Sequence, residues 1–262
     1  MTAPDHSSRR SALRTLAVVA TVAVVCGALV TGTAVALRPR ILSNIKAAQQ
    51  ARMAAMLDAI PGLAEVLGDS GASALEPVLV DLASGERAAG DPLSFDPVAA
   101  AADPATGRAL TADEDIAGLG RIATSGVAYI VRDGDGALML AILPIAVRGY
   151  ASVIRGYLAL EQDLTTVAAL NIIEQAETPG LGARIQTPEW QALWPGRSVA
   201  RPDGTLGVTI VRQGSSSAPY EVDGLTGATR SSTAVGAGVT FWLGDAGYGP
   251  FLSRLAATEA SR

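Results

Sequence analysis

The residues of this chain with the clearest chemical potential lie in Asp223–Thr229, where a strand-like run turns into a helix. Apolar residues recur near helical spacing over Ser231–Leu243, so the stretch is a loop that leads into a helix N-terminus. Free amides and the positive end of the helix dipole favour an anionic group such as a phosphate there. Small residues at Gly227 and Ala228 would let a phosphate come close.

Helix capping is a simpler role for the same threonines. Ser, Thr, Asp and Asn are common N-cap residues, and Thr226 and Thr229 both stand near the start of the predicted helix. Short strings of glycine and threonine are weak motifs by themselves. The spacing alone therefore leaves two interpretations open, a capping hydroxyl or a hydroxyl beside a phosphate.

The order of residues in Asp223–Thr229 resembles the flavinylation motif of the FMN-binding domain family. In that family a dedicated flavin transferase links FMN to the final threonine through a phosphoester bond. The resemblance therefore implies that Thr229 carries covalent FMN and that Asp223 helps to present it to the transferase. Thr226, Gly227 and Ala228 complete the cofactor-binding loop that it implies.

Four further regions resemble the members of that family that belong to sodium-translocating NADH:quinone reductases, the NqrC proteins. They fall in the same order within residues 148–255 and comprise Gly156–Leu160, Glu177–Gly182 with Trp190 and Trp194–Gly196, Phe241–Gly244, and Gly247–Leu252. The second of these regions is shared with the RnfG proteins of the related Rnf electron-transport complexes, whereas the last two favour the quinone-reductase proteins. A second flavin contact is implied at four loop residues: Glu177, Thr178, Gly180 and Leu181.

Two departures from the family pattern lie beside the implied flavin site. Family members usually have an aliphatic residue straight after the modified threonine, whereas this chain has Arg230. A histidine that often precedes the position of Glu177 is also missing. Arg230 could pair with the FMN phosphate, because guanidinium groups bind phosphate well, or it could point to solvent.

The resemblance implies an electron carrier within a membrane complex that oxidises NADH, reduces ubiquinone and exports sodium. Its implied partners are the other subunits of the complex and the flavin transferase, and no nucleic-acid partner is expected. Its implied location is the bacterial inner membrane, with a single span, a cytoplasmic N-terminus and a periplasmic FMN domain. An anchored binding module whose Thr229 is never modified is the alternative from another class of function.

The rarity of cysteine and histidine limits the chemistry of the chain. Among 262 residues there is one cysteine, Cys26, and one histidine, His6. No intramolecular disulfide, cysteine zinc site or iron–sulfur cluster can be built from one cysteine. A Ser-His-Asp or Cys-His apparatus is excluded because His6 precedes the predicted anchor. We predict no catalytic residue and no metal ligand, so redox chemistry would have to come from a cofactor.

An uncharged apolar segment over residues 15–37 is long enough to cross a bilayer as a helix. We predict that it is a retained transmembrane anchor after a cytoplasmic tail of residues 1–14. A cleaved signal peptide is the competing interpretation, because three arginines precede the segment and Ala34–Ala36 ends it. Basic residues on both sides leave the topology unspecified by charge: Arg9, Arg10, Arg14, Arg38, Arg40 and Lys46.

The remaining chain divides into residues 38–126, predicted as a helical stalk and an Ala/Asp/Gly-rich region, and residues 127–262, predicted as the FMN-binding domain. The spacing over Ala47–Leu67 suits an amphipathic helix, and Ala88–Gly120 is predicted as a surface excursion.

Local patterns predict the elements of an α+β fold with a mixed α/β FMN-binding domain. Strands are predicted at Glu76–Leu82, Val127–Val131, Leu138–Leu143, Ile154–Leu160, Val167–Ile173, Val208–Val211 and Tyr220–Val222. Asp133–Gly136 is predicted as a plain hairpin turn, since the full spacing of a calcium loop is missing. A short helix starts at Thr187-Pro188, and its Trp190 and Trp194 are either core residues or flavin shields.

Overall fold

The computed structural model describes residues 16, 19–20, 22–27, 31, 75–133 and 135–261. The chain forms two compact units, Met1–Ala54 and Ala55–Arg262. In the first unit the described residues are helical and exposed. Within the described ranges, no helix is both long and apolar enough to span a bilayer. The predicted tail, most of the anchor at 15–37 and the amphipathic helix at Ala47–Leu67 lie outside the described residues.

The second unit contains nine strands and four α-helices in its described part. The strands are β1 (Leu75–Asp81), β2 (Gly107–Ala109), β3 (Arg121–Ala123), β4 (Ser125–Arg132), β5 (Leu138–Arg148), β6 (Val153–Glu161), β7 (Val167–Glu174), β8 (Thr209–Val211) and β9 (Glu221–Asp223). The helices are α1 (Pro97–Ala102), α2 (Pro188–Gln191), α3 (Thr229–Leu243) and α4 (Gly249–Ala260), with a 3-10 helix at Gly182–Gln186.

A five-stranded antiparallel sheet in the order β1-β4-β5-β6-β7 forms the centre of this unit. Alternate residues of β5, from Ala141 to Val147, belong to the hydrophobic core, because successive side chains of a strand point to opposite faces. β1 lies before residue 127 yet pairs with β4 along its whole length. Two small sheets, antiparallel β2-β3 and parallel β8-β9, complete the strand pairing.

Helix α3 lies close to the central strand β5. The Trp242 indole donates to the Ala146 carbonyl at 2.7 Å. A Cβ atom added at Gly238 would lie 2.7 Å from the Val147 Cβ, so the helix backbone approaches the strand. Tyr248 at the start of α4 donates its buried hydroxyl to the Val127 carbonyl at 2.9 Å. These contacts fix both C-terminal helices on the sheet.

The predicted strands and the mixed α/β character of the domain are confirmed. The turn between β4 and β5 is a plain one, since the Asp133 carboxylate accepts the amides of Asp135 and Ala137. No group of three potential metal ligands occurs among the described residues. The predicted excursion at Ala88–Gly120 contains α1, whose N-terminus is capped by Asp96.

Both tryptophans of the predicted short helix are core residues. Trp190 is 1% exposed and Trp194 is 0% exposed, and their rings meet edge to face at 5.5 Å. The Trp190 indole donates to the Asp223 carbonyl at 2.9 Å. The interpretation as core residues is therefore confirmed, and Trp190 also anchors the strand that leads into the candidate site.

Candidate functional site

Thr229 is the first residue of α3, and its side chain is exposed. The N-cap residue of the helix is Ala228, and no side chain caps the helix. The capping interpretation of Thr226 and Thr229 is therefore wrong. The first backbone bond of the helix runs from the Ser232 amide to the Ala228 carbonyl at 3.0 Å, so the amides of residues 229–231 precede the helical hydrogen-bond ladder. The hydroxyl of Thr229 is left available for chemistry.

The loop before Thr229 is held by two side chains of other segments. The Thr226 amide donates to Gln213 Oε1 at 3.2 Å, and Arg184 Nη1 donates to the Thr226 carbonyl at 3.2 Å. Gly227 has φ +81°, a left-handed conformation that favours glycine. The buried Ser232 hydroxyl accepts the Leu225 amide at 3.1 Å and donates to the Ala228 carbonyl at 3.0 Å. The approach to Thr229 is thus ordered from both sides.

Asp223 ends β9 and anchors the start of this loop. Its carboxylate oxygen Oδ1 accepts the amides of Ser215 at 3.1 Å and Ser216 at 2.9 Å. Burial raises the pKa of Asp223, but backbone donors from Ser216, Gly214 and Ser215 outweigh that effect and lower the pKa below its ordinary value. The predicted role of Asp223 in presenting Thr229 therefore has a structural counterpart in a fixed, ionised side chain that holds the neighbouring turn.

Glu177 is the most heavily bonded carboxylate near Thr229, and only 4% of it is exposed. Its Oε1 accepts the Ala151 amide at 2.9 Å and both the amide and the hydroxyl of Ser152, at 3.0 and 3.1 Å. Its Oε2 accepts the Tyr150 amide at 3.1 Å and the Ser231 hydroxyl at 2.6 Å. The carboxylate therefore joins the turn between β5 and β6 to the first turn of α3.

The same bonds explain the charge state of Glu177. Burial raises the pKa of its carboxyl, but donors from Ser231, Ala151 and Ser152 outweigh that effect and hold the pKa below its ordinary value. Two glycines make room for the group. A Cβ atom at Gly149 would lie 2.6 Å from Glu177 Oε1, and one at Gly182 would lie 2.5 Å from the Ser231 hydroxyl oxygen.

The other predicted loop residues lie on the surface beside the Thr229 loop. Thr178 is exposed, and its carbonyl accepts the Leu181 amide at 3.1 Å. Gly180 has φ +74°. Leu181 is 49% exposed, and its Cδ2 would lie 3.5 Å from a Cβ atom at Gly227. The structure thus brings the two predicted cofactor loops together, with an exposed apolar side chain at their contact.

Four nearby residues were not among the predicted cofactor contacts: Tyr150, Arg184, Ser231 and Ser232. Tyr150 is 61% exposed, and the Arg230 guanidinium lies 5.1 Å from the centroid of its ring. The two serines sit at buried positions of an otherwise apolar helix face, which is a signal that the sequence pattern could have revealed. Tyr150 and Arg184 carry no such local signal, because their contacts join distant segments.

Taken together, these residues suit a phosphate group. The exposed Thr229 hydroxyl stands at a helix N-terminus whose first turn holds no acidic residue. Arg230 follows it directly, and Arg184 bonds to the same loop. The FMN phosphate would meet amides and guanidinium groups here, and the exposed surface of Leu181 would offer an apolar contact to a flavin ring.

Known proteins show the same combination of sequence and fold. A family model described as an FMN-binding domain matches residues 149–244. The C-type subunit of the Na(+)-translocating NADH-quinone reductase of Pseudomonas aeruginosa is 40% identical over 266 residues, which cover 97% of this chain and 100% of the relative. The protein of the same name from Vibrio vulnificus is 35% identical over 250 residues, covering 95% of this chain and 97% of the relative.

Solved structures agree with these relatives. The crystal structure of NqrC from Shewanella oneidensis matches with a TM-score of 0.67 and 28% identity, covering 74% of this chain and 88% of that one. The corresponding C-type subunit of Parabacteroides distasonis matches with a TM-score of 0.54 and 26% identity, covering 71% and 83% of the two chains. High coverage at 35–40% identity, an FMN-binding domain and a shared fold together show that the chain belongs to the NqrC family of Na(+)-translocating NADH-quinone reductase subunits.

Proposed function

We propose that this chain is a membrane-anchored electron carrier whose FMN is linked to Thr229 by a phosphoester bond. The observation that carries the proposal is the exposed Thr229 hydroxyl at the N-terminus of α3, with no capping role. A helix N-terminus stabilises a phosphate through its amides and dipole. FMN, once attached, would supply reversible electron transfer that no side chain of this domain can perform.

Attachment would need a flavin transferase and an activated flavin nucleotide. The Thr229 hydroxyl oxygen would form a bond to the phosphorus of the FMN unit. In a flavin dinucleotide donor the phosphoanhydride bond would break, a nucleoside monophosphate would leave, and the hydroxyl proton would pass to a base of the transferase. No electron is gained or lost in this transfer, so no oxidant or reductant is required.

The protein residues around Thr229 would divide the binding work. The loop of Thr226, Gly227 and Ala228 would leave space for the phosphate. Across from it, the exposed loop of Thr178, Gly180 and Leu181 would contact the flavin ring, and Glu177 belongs to the same loop. Asp223 would keep the preceding turn in the shape that the transferase recognises.

The wider assembly follows from family membership. The relatives are named as subunits of Na(+)-translocating NADH-quinone reductases, and we infer that the other subunits of such a complex are the partners of this chain. The same membership favours this complex over an Rnf complex. The proposed arrangement has residues 15–37 as an inner-membrane anchor and the FMN domain on the periplasmic side. Retention of the full chain in membranes after an alkaline wash, and its release when residues 1–37 are deleted, would support the anchor.

The attachment is tested by intact mass and peptide mapping of the exported chain, co-expressed with a flavin transferase. We expect the mass of an FMN phosphoryl group on the peptide that contains Thr229. Thr229→Val should abolish it, because valine has a similar shape and no hydroxyl. Thr226→Val is the matched control, since Thr226 is an exposed threonine of the same loop and is held through its backbone amide and carbonyl.

An adduct that survives Thr229→Val and disappears with Thr226→Val would assign the linkage to the wrong threonine. An unmodified chain under these conditions would favour the anchored binding module instead. Flavin fluorescence that remains with the denatured protein gives the same distinction without mass spectrometry, because a covalent flavin is not lost on unfolding.

A further inference from the structure

The Glu177 carboxylate joins three segments that are far apart in the sequence. It belongs to the loop after β7, and its five hydrogen-bond donors come from residues 150–152 and from Ser231. Three of these donors are successive backbone amides of the turn between β5 and β6. Successive amides form a concave site for an anion, and here the anion is supplied by the protein itself.

This bonding leaves the carboxylate no capacity for a ligand. Two carboxylate oxygens offer about four lone-pair sites, and five donors already point at them. The side chain is buried, so a flavin at the surface would not reach it. Glu177 therefore differs from its exposed loop neighbours Thr178 and Leu181, which remain free to touch a cofactor.

We propose that Glu177 is a positioning residue, which sets the orientation of the Thr229 hydroxyl by holding Ser231 in the first turn of α3. Ser231 lies two residues after Thr229, and its hydroxyl makes the shortest of the five bonds, at 2.6 Å. The inference rests on the proposed flavin attachment. It differs from the direct flavin contact that the family resemblance implies for Glu177.

Glycines at two points indicate that the connection tolerates little change. Side chains at Gly149 or Gly182 would approach the Glu177 and Ser231 oxygens to within 2.5–2.6 Å. Arg230 adds a second link between the same segments, because it lies over the ring of Tyr150, whose amide bonds to Glu177. The first turn of α3 is thereby tied to the turn between β5 and β6 on both sides of Ser231.

The test measures initial rates of flavin attachment to Thr229 by mass spectrometry, using the full chain and saturating transferase. Glu177→Gln keeps the shape of the side chain, loses the charge and turns an amide NH2 toward donors. We expect its rate to fall at least about tenfold, and that of Ser231→Ala about three- to tenfold, because each loses bonds that hold the same turn. The double variant should be no slower than Glu177→Gln alone, since the two residues act through one contact.

A control of equal stability separates positioning from general damage. Tyr248→Phe removes a buried hydrogen bond to Val127 in another part of the domain. It should lower the unfolding temperature and leave the attachment rate within about twofold of the original chain. If Tyr248→Phe slows attachment as much as Glu177→Gln at matched stability, or if folded Glu177→Gln is flavinylated at the original rate, the proposed role of Glu177 is wrong.

Amide hydrogen exchange on the unmodified protein gives an independent readout. Glu177→Gln should speed exchange at residues 150–152 at least about tenfold, while the core of α3 around Val239 stays protected. Absence of FMN from Thr229 in the original chain would remove the proposed function, yet exchange at these amides would still decide whether Glu177 holds the turn. Unchanged exchange there would overturn the positioning role even in a chain that is fully flavinylated.

Discussion

Arg230 shows how one residue beside the attachment point can be assigned by its surroundings. Its sequence position left two roles open, pairing with phosphate or pointing to solvent. In the structure the exposed side chain lies over the ring of Tyr150, with 5.1 Å between the guanidinium and the ring centroid. This contact keeps a positive charge next to Thr229 without neutralising it, because an aromatic ring carries no net charge.

Arg230→Leu is predicted to slow flavin attachment about two- to fivefold, because an exposed cation near a phosphate contributes about 0.5–1 kcal/mol. The difference should shrink as salt is added, since ions screen exposed charges. Initial attachment rates at low and high ionic strength measure this effect. Arg87→Leu removes an equally exposed arginine beside β1 and should leave the rate unchanged. A salt-independent effect of Arg230→Leu would mean that its charge is not the cause.

Helix α3 is the element that carries Thr229, and its glycines set its distance from the sheet. Gly238 faces Val147 of β5, and Gly236 faces Ile210 of β8. A side chain at either position would push the helix away from a strand. The burial of α3 thus explains why two residues with poor helix propensity stand in its middle.

Gly238→Ala is predicted to destabilise the protein by about 1 kcal/mol. Alanine improves helix propensity by about 1 kcal/mol, but overpacking against Val147 costs about 1–3 kcal/mol. Urea unfolding followed by circular dichroism measures the net effect. Thr233→Ala, at an exposed position of the same helix, should leave stability unchanged or raise it by about 0.5 kcal/mol. A gain in stability with Gly238→Ala would show that α3 lies further from β5 than the structure has it.

Ionised carboxylates distributed over the whole molecule connect its stability to pH. Burial raises the pKa values of Glu177, Asp163 and Asp223, but hydrogen bonds outweigh it and hold all three below their ordinary range. A carboxyl with a lowered pKa in the folded state stabilises the protein above its unfolded pKa, and this contribution is lost as pH falls through the folded pKa. Acid should therefore weaken several loops at once, the Glu177 connection among them.

Glu177→Gln tests this linkage. The variant should be less stable than the original chain at neutral pH, by about 1–3 kcal/mol, because the amide leaves donors of the turn unsatisfied. The gap should narrow below about pH 4.5, the ordinary pKa of a glutamate, since the original carboxyl then takes up a proton too. Urea midpoints across this range provide the measurement. Glu174→Gln, at an exposed carboxylate, should show a small difference at every pH, and a constant gap for Glu177→Gln would contradict the linkage.

Local patterns of the sequence determined much of this molecule. Alternating apolar residues and the Asp133–Gly136 turn predicted the β4–β5 hairpin, since both signals lie within neighbouring residues. The small residues of Asp223–Thr229 between a strand and a helical pattern placed Thr229 at a helix N-terminus, as the structure has it. The family motif, also a local signal, identified the FMN-binding domain. Helix α4 was not predicted, although Pro250 suits the first turn of a helix.

Only the tertiary structure decided how the parts of the site meet. Glu177 and Ser231 are 54 residues apart in the chain and share a 2.6 Å hydrogen bond. Tyr150 reaches Arg230, and Arg184 reaches Thr226, across similar separations. Contacts of this kind depend on how strands pair and how α3 lies on the sheet, and neither residue of a pair carries a local mark of its partner. The sequence by itself therefore determined which threonine stands ready for modification, whereas the packing of three distant segments decided what holds it in place.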